Sequence, residues 1–203
     1  MIIDFNSTPP LTRYHFMTQT ILPRPIAWVL SVNSDDSLNL APFSFFNAVC
    51  SDPPLLLLSI GSKSDGSIKD TRQNIVSGRP FVIHIASVDQ SQVVNNSAAE
   101  LAYGESELTR EQLPLADFPG CSVPRLRDCH VAYHCTLYEV HEIGPNKQAM
   151  VYAEIQQLYL NDEVVEENNG RYVIDSQKIN PLARLGGTSY AELGEVFSLS
   201  RPK

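Results

Sequence analysis

Hydrophobic and polar positions alternate along this chain in short blocks rather than in long helical stripes. Residues 25–32, with Ile26, Ala27, Trp28, Val29, Leu30 and Val32, form a β-rich run. Polar turn residues fill 33–37 and apolar character returns at 38–43, which predicts a hairpin. Pro42 lacks the amide hydrogen that a ladder needs, so part of the second strand is predicted at an edge or bulge. The run Leu55, Leu56, Leu57, Leu58, Ser59, Ile60 predicts a strand buried on both faces. A polar loop at 61–66 leads into a short helix over 67–76. Ile68, Ile75 and Val76 supply its apolar side and Gly78 its stop. Further strands are predicted at 81–86, about 129–142 and 149–160, and a helix at 89–102 ending at Gly104.

Between 105 and 128 lie three prolines and little periodicity, a long connection of the kind that covers a site or an interface. The acidic stretch Asp162, Glu163, Glu166, Glu167 leads to Asn168, Asn169 and Gly170, a solvated turn. With no internal repeat and no linker, the pattern predicts one β-rich α+β domain over residues 1–203, a length that supports a substantial core.

Composition narrows the partners. At 43% hydrophobic and 19% charged residues the chain is ordinary globular material. A formal net charge of −8 argues against a partner held by phosphate neutralisation, hence against nucleic acid. No run is long enough to span a bilayer, and the N-terminus lacks the basic and apolar regions of a secretory signal. A cytoplasmic protein without a membrane role is the expectation, and its four cysteines are expected to stay reduced. His130 and His134 invite a metal reading. On a strand they share a face but lie roughly 13 Å apart at about 3.3 Å per residue, too far to share one ion, so no metal site is expected.

Three segments are more specific than composition requires. They run from Pro23 to Trp28 (Pro-Arg-Pro-Ile-Ala-Trp), from Asn39 to Ala48 (Asn-Leu-Ala-Pro-Phe-Ser-Phe-Phe-Asn-Ala) and from Ser67 to Ile75 (Ser-Ile-Lys-Asp-Thr-Arg-Gln-Asn-Ile). Lys69 and Thr71, beside a helix start and a Ser-rich loop containing Ser62, offer a cation, a hydroxyl and free N–H groups to an anion; on spacing alone a solvated helix end is the better explanation. Phe43, Phe45 and Phe46 suit a core, whereas Ser44 and Asn47 beside them need polar partners. Arg24 reads as a surface charge or a ligand contact, and Trp28 as core. Gly186 and Gly187, between Arg184 and Tyr190, allow close approach or positive φ.

Occurring in this order, with Ser51, Asp52, Pro53 and Pro54 between the second and third, these segments resemble the flavin-reductase-like, FMN-binding split-barrel family, and within it the flavoredoxin-like members. The resemblance extends to the segment from Arg184 to Tyr190. It implies a split β-barrel with a few short helices, a homodimer, and bound FMN. By the same resemblance Lys69 and Thr71, with Ser62 nearby, contact the phosphate. Ser44, Phe45 and Asn47 meet the flavin or ribityl, Arg24 and the Ala27 backbone lie against the isoalloxazine, and Arg184 and Tyr190 approach it from the tail. Such a site needs phosphate donors, polar partners for the pyrimidine edge and apolar walls.

One departure bears on the electron donor. NADH-using relatives carry a Gly-Asp-His element before a late strand, whereas residues 144–151 here contain no histidine. The expectation is therefore an FMN-dependent oxidoreductase whose use of NAD(P)H is in question, with an electron carrier lacking a nicotinamide site as the alternative. A cofactor-free barrel conflicts with Ser44, Asn47, Lys69 and Thr71 occurring together.

Overall fold

A computed structural model describes residues 1–101 and 105–202. Its main sheet holds seven antiparallel strands: β1 (Ala27–Val32), β2 (Leu38–Phe43), β3 (Phe46–Ser51), β4 (Pro54–Ile60), β5 (Phe81–Ile85), β6 (Val131–Ile143) and β7 (Gln148–Leu160). They run in the order β2-β1-β5-β6-β7-β4-β3. The two edge strands, β2 and β3, are consecutive in the chain and joined only by Ser44 and Phe45. So short a link brings opposite edges of the sheet together, and the sheet curls into a barrel that stays split along this seam. The Ser59 amide donates to the Phe45 carbonyl at 2.9 Å beside the seam.

Strand alternation separates two cores. Ala27 and Val29 point into the barrel with Phe81, Ile83, Leu58 and Val151. Trp28 and Leu30 point outward, beneath a cover that includes Val94, Leu108, Phe118 and Leu182. β1 and β5 are thus buried on both faces. In β4, Leu55, Leu56, Leu58 and Ile60 are buried while Leu57 and Ser59 stay partly open, so its second face is covered only in part. Small residues on β7, Ala149 and Ala153, pair with Ile60 and Leu56 on β4, which leaves room for the larger interior side chains. Trp28 is fully buried, and its indole N–H donates to Ser97 Oγ at 2.9 Å.

Several predicted elements change their bounds. The helix of 67–76 begins at Asp70 (α2, Asp70–Val76), and Gly78, at φ +84, ends it. Only Ile75 of its expected apolar side is buried; Ile68 and Val76 are about half exposed. Thr71, Arg72 and Asn74 are buried instead, since this helix rests on a polar network. The helix of 89–102 is a short 3₁₀ turn followed by α3 (Ser91–Asn96), while Ala102 and Gly104 lie outside the described residues. The 105–128 connection contains α4 (Glu107–Glu111) and a two-residue strand pair. Additional elements include α1 (Pro10–Thr20), with proline at its first position, and the edge strand β3. The acidic stretch begins in a 3₁₀ turn, Asp162–Val164, and continues into a hairpin, Val165–Asn168 against Arg171–Ile174, turning at Asn169 and Gly170, both of positive φ. Among the described residues no helix is long and apolar enough to cross a membrane. Nor does any group of three His, Cys, Asp or Glu residues gather there to hold a metal ion. His134 lies with Nδ1 3.3 Å from Gln157 Oε1.

Candidate functional site

The sequence-expected residues fall at two ends of the β2–β3 seam. At the first end a two-residue strand, Arg24–Pro25, pairs with Ala183–Arg184, which pairs in turn with Tyr190–Ala191. The Arg24 side chain is buried here. Its Nη1 donates to the carbonyls of Thr18 (2.5 Å) and Ile21 (3.1 Å), its Nη2 to that of Leu185 (2.8 Å), and its Nε lies 3.5 Å from Ser44 Oγ. Burial pulls its pKa down, and the nearby Arg184 charge acts in the same direction. Arg24 therefore ties together the end of α1, the C-terminal segment and Ser44.

Arg184 sits over the Tyr190 ring, 4.4 Å from its centroid, and donates through Nη2 to the Gly187 carbonyl at 2.5 Å. Its Nη1 is buried without an acceptor among the described residues. The Tyr190 hydroxyl donates to Asn95 Oδ1 at 3.1 Å, anchoring this segment to α3. The two glycines between them serve different ends. A Cβ on Gly186 would meet Gln19 Cγ at 2.4 Å, whereas Gly187 has open space but φ of +60. Phe45 packs against Tyr14 of α1 at 6.3 Å between centroids. Asn47 is exposed on β3, its Oδ1 accepting from the Ala48 amide. Ala27 is wholly buried and pairs with Phe43.

At the second end, β2 and the 62–69 loop flank a cleft of about 160 Å³. Ala41, Pro42 and Phe43 form its apolar wall; Asn39, Lys63, Lys69, Thr71, Glu100 and Glu107 line the rest. Lys69 precedes α2 in extended conformation, and its Nζ is 3.8 Å from Glu100 Oε1. Both oxygens of Glu100 accept from the Ser64 amide, at 3.0 and 3.3 Å, and Oε2 accepts from Ser64 Oγ at 2.5 Å. Those bonds from Ser64 hold the Glu100 carboxyl below the usual carboxylate range. Lys63 makes a two-pronged pair with Asp70 at 2.8 and 3.0 Å.

Thr71 is buried and accepts from Asn39 Nδ2 at 2.9 Å. This bond joins it to a network in which Asn39 and Asn74 also donate to Ser31 Oγ. Glu107, buried, accepts from the Leu40 amide at 3.0 Å on the open edge of β2, and desolvation raises its pKa. Ser62 is exposed and lines a neighbouring hollow with Gly61, Arg72 and Gln148.

The structure thus gathers Arg24, Ser44, Phe45, Arg184 and Tyr190 at one end, and Lys69 and Thr71 at the other. Pro42 and Phe43 run continuously toward Ser44 between them. Ser62 and Asn47 lie at the margins. Sequence reasoning missed Ser64 and Glu100, which meet across 36 positions with no local motif to mark them. The donor set fits an anionic group beside an apolar one: Ser64 and Lys69 already converge on a carboxylate, next to Pro42 and Phe43.

The fold and the family are shared with known proteins. A family model described as "Flavin reductase like domain" matches residues 18–180. The uncharacterized protein YwrF of Bacillus subtilis (strain 168) is 38% identical over 194 residues, covering 93% of each chain. Nitrilotriacetate monooxygenase component B from Bacillus cereus superposes with TM-score 0.89 at 30% identity, over 98% of both chains. The Pseudomonas fluorescens 2-nitrobenzoate 2-nitroreductase NbaA gives 0.87 at 27%, over 100% of this chain and 96% of that one. A flavoredoxin of Desulfovibrio vulgaris (Miyazaki F), at 16% identity and TM-score 0.76 over 98% and 97% of the two chains, shares the fold. The chain belongs to the flavin reductase-like family, whose members are flavin-related oxidoreductases.

Proposed function

We propose that this chain binds FMN and works as a flavin-dependent oxidoreductase passing electrons to an external acceptor. The observation that carries the reading is the convergence of Ser64 and Lys69 on the Glu100 carboxylate, which lies beside the apolar wall of Pro42 and Phe43. Bound FMN would supply the redox chemistry itself. Lys69 and Ser64, with Thr71 behind them, hold the phosphate; Ala41, Pro42 and Phe43 exclude water from the middle of the ligand. Ser44, Phe45 and Asn47, with the Ala27 backbone, border the ring, and Arg184 offers its unpartnered N–H. Arg24 acts through Ser44 and the C-terminal segment. A desalted preparation that stays yellow, or micromolar binding in a fluorescence titration with FMN, is the expected result. A colourless protein that leaves FMN fluorescence unchanged would overturn the reading.

Ligand-enclosing pockets usually measure about 300–1,000 Å³, and the cleft, at about 160 Å³, is too small to enclose a whole flavin. A ring lying along the seam would therefore stay open on its outer side, where a second copy of the chain could cover it. A homodimer is proposed on that basis, and sedimentation at micromolar concentration should give twice the chain mass.

The electron donor is the point at which a second reading has its own support. Residues 144–151 have no histidine. The turn there is also held by Arg72, whose Nη1 donates to the Lys147 carbonyl at 3.1 Å and whose Nη2 pairs with Glu142. A turn so held, without the relatives' histidine, favours slow reduction by NADH or NADPH, and with it the carrier alternative. Anaerobic stopped-flow mixing decides: flavin bleaching at roughly tens per second, a typical turnover, would make the protein an ordinary NAD(P)H-dependent reductase. Full reduction by dithionite with sluggish bleaching by both nucleotides is expected.

A further inference from the structure

Glu100 lies four residues beyond the end of α3, at the mouth of the cleft that holds Lys69 and Thr71. Its carboxylate takes three donors at once: the Ser64 amide, the Ser64 hydroxyl and, at longer range, the Lys69 ammonium. A carboxylate and a phosphate monoester ask for the same partners, since both are anionic oxygen acceptors that favour backbone N–H, hydroxyl and cationic donors. Two anions cannot share one amide and one hydroxyl, and at this spacing they would repel. We propose that Glu100 is a built-in competitor for the FMN phosphate, which must displace it from Ser64 and Lys69 to bind.

The inference rests on the FMN reading above but adds a consequence of its own. The affinity of the site is set below what its donors alone would give, because each binding event first breaks the contacts of Glu100. Such a site exchanges its flavin more readily than one whose donors wait free, and exchange suits a protein that hands reduced flavin to an acceptor. The neighbouring pair is arranged differently. Lys63 is held by both oxygens of Asp70, so Lys69 is the cation that can change partners. Glu100 is also well placed to move, being about 40% exposed in its side chain and held by the loop residues Ser64 and Lys69 rather than packed in the core.

Titrations of the flavin-stripped protein with FMN and with riboflavin test this directly. Glu100→Gln should bind FMN about fivefold more tightly and release it more slowly, the scale of one exposed ion pair, while riboflavin affinity stays within about twofold. Asp65→Asn removes the other carboxylate close enough to act on Glu100 and should leave FMN affinity within about twofold. Glu100→Ala serves as the second variant, with melting curves confirming that each protein folds. If Glu100→Gln leaves FMN unchanged or weaker while the parent still prefers FMN to riboflavin, Glu100 only orders the loop and the proposal fails alone. A gain from Asp65→Asn equal to that from Glu100→Gln would also overturn it, in favour of general charge repulsion. Equal binding of the two flavins by the parent, or binding of neither, would instead remove the phosphate reading on which it rests.

Discussion

Arg24 and Lys69 are two cations from the first and third of the three motifs, and by the family resemblance each is expected to contact the ligand. The fold treats them in opposite ways. Arg24 is buried with its donors directed at three carbonyls from α1 and the C-terminal segment. Lys69 keeps a third of its side chain exposed and makes one loose pair at 3.8 Å. The contrast separates a cation that holds the chain together from one whose donors remain open to exchange. A guanidinium suits the first role because its planar fork can serve several acceptors, whereas an ammonium on a flexible stem suits the second.

If that contrast is right, the committed side should fail by unfolding. Arg24→Met leaves the Thr18, Ile21 and Leu185 carbonyls without their donor, and an unsatisfied buried acceptor costs about 1–3 kcal/mol. A loss of at least roughly 3 kcal/mol in urea denaturation is expected, with FMN binding reduced only as far as the protein unfolds. A fully stable variant that no longer bound flavin would move Arg24 to the ligand side of the comparison.

His84 is committed in the same sense. Its Nε2 accepts from the Leu126 amide at 2.9 Å, which leaves Nδ1 to donate to the Trp28 carbonyl at 3.1 Å. Burial lowers its pKa to about 4 from an ordinary 6.5. Between those values the unfolded chain binds the extra proton, so this contribution is fully present above pH 6.5 and is lost as pH falls toward 4. The expected loss is roughly 3 kcal/mol, read as a falling urea midpoint. Glu107 works in the other direction, since burial raises its pKa and acid relieves it. A His84→Asn variant, less stable throughout, should lack the slope between pH 6.5 and 4.

On the exchangeable side, Lys69→Ala should leave stability within about 0.5 kcal/mol, as for other surface changes. FMN affinity should fall roughly 10- to 100-fold, the scale of a charge-assisted hydrogen bond of about 1.5–3 kcal/mol. Riboflavin, which lacks the phosphate, should be affected much less. Equal losses for both ligands would place Lys69 at the ring or in the fold.

What could be read in advance divides along similar lines. The β1–β2 hairpin, the strand at 81–85 and the long β6–β7 pair were legible because period and turn chemistry are local. α1 was not: Leu11, Tyr14 and Met17 are exposed and only Thr18 is buried, so no apolar stripe announced it, although Pro10 marks its first turn. β3 was hidden because five of its six residues are exposed, and an edge strand with an open face lacks a clean alternation. At the site, Lys69 stood in a dense motif. Ser64 and Glu100 meet only when the loop and the segment after α3 close on each other. Thr71 was legible as a site residue, yet its bond to Asn39, which fixes how far it can reach, depends on tertiary packing.

The smallest expected effect tests the other end of the seam. Asn47 stands exposed on β3 with its carbonyl oxygen committed only to the adjacent Ala48 amide, so its NH₂ is free to meet a polar edge of the flavin ring. One neutral hydrogen bond contributes about 1 kcal/mol, and Asn47→Ala should therefore weaken flavin binding roughly fivefold. The signature lies in the pattern rather than the size. A ring contact is made equally with FMN and riboflavin, so both affinities should fall by the same factor, unlike the divergence expected for Lys69→Ala. A loss confined to FMN would place Asn47 on the phosphate side and collapse the two-ended site into one. No loss for either ligand would leave Ser44 and the buried Ala27 backbone as the polar neighbours of the ring on this side of the seam.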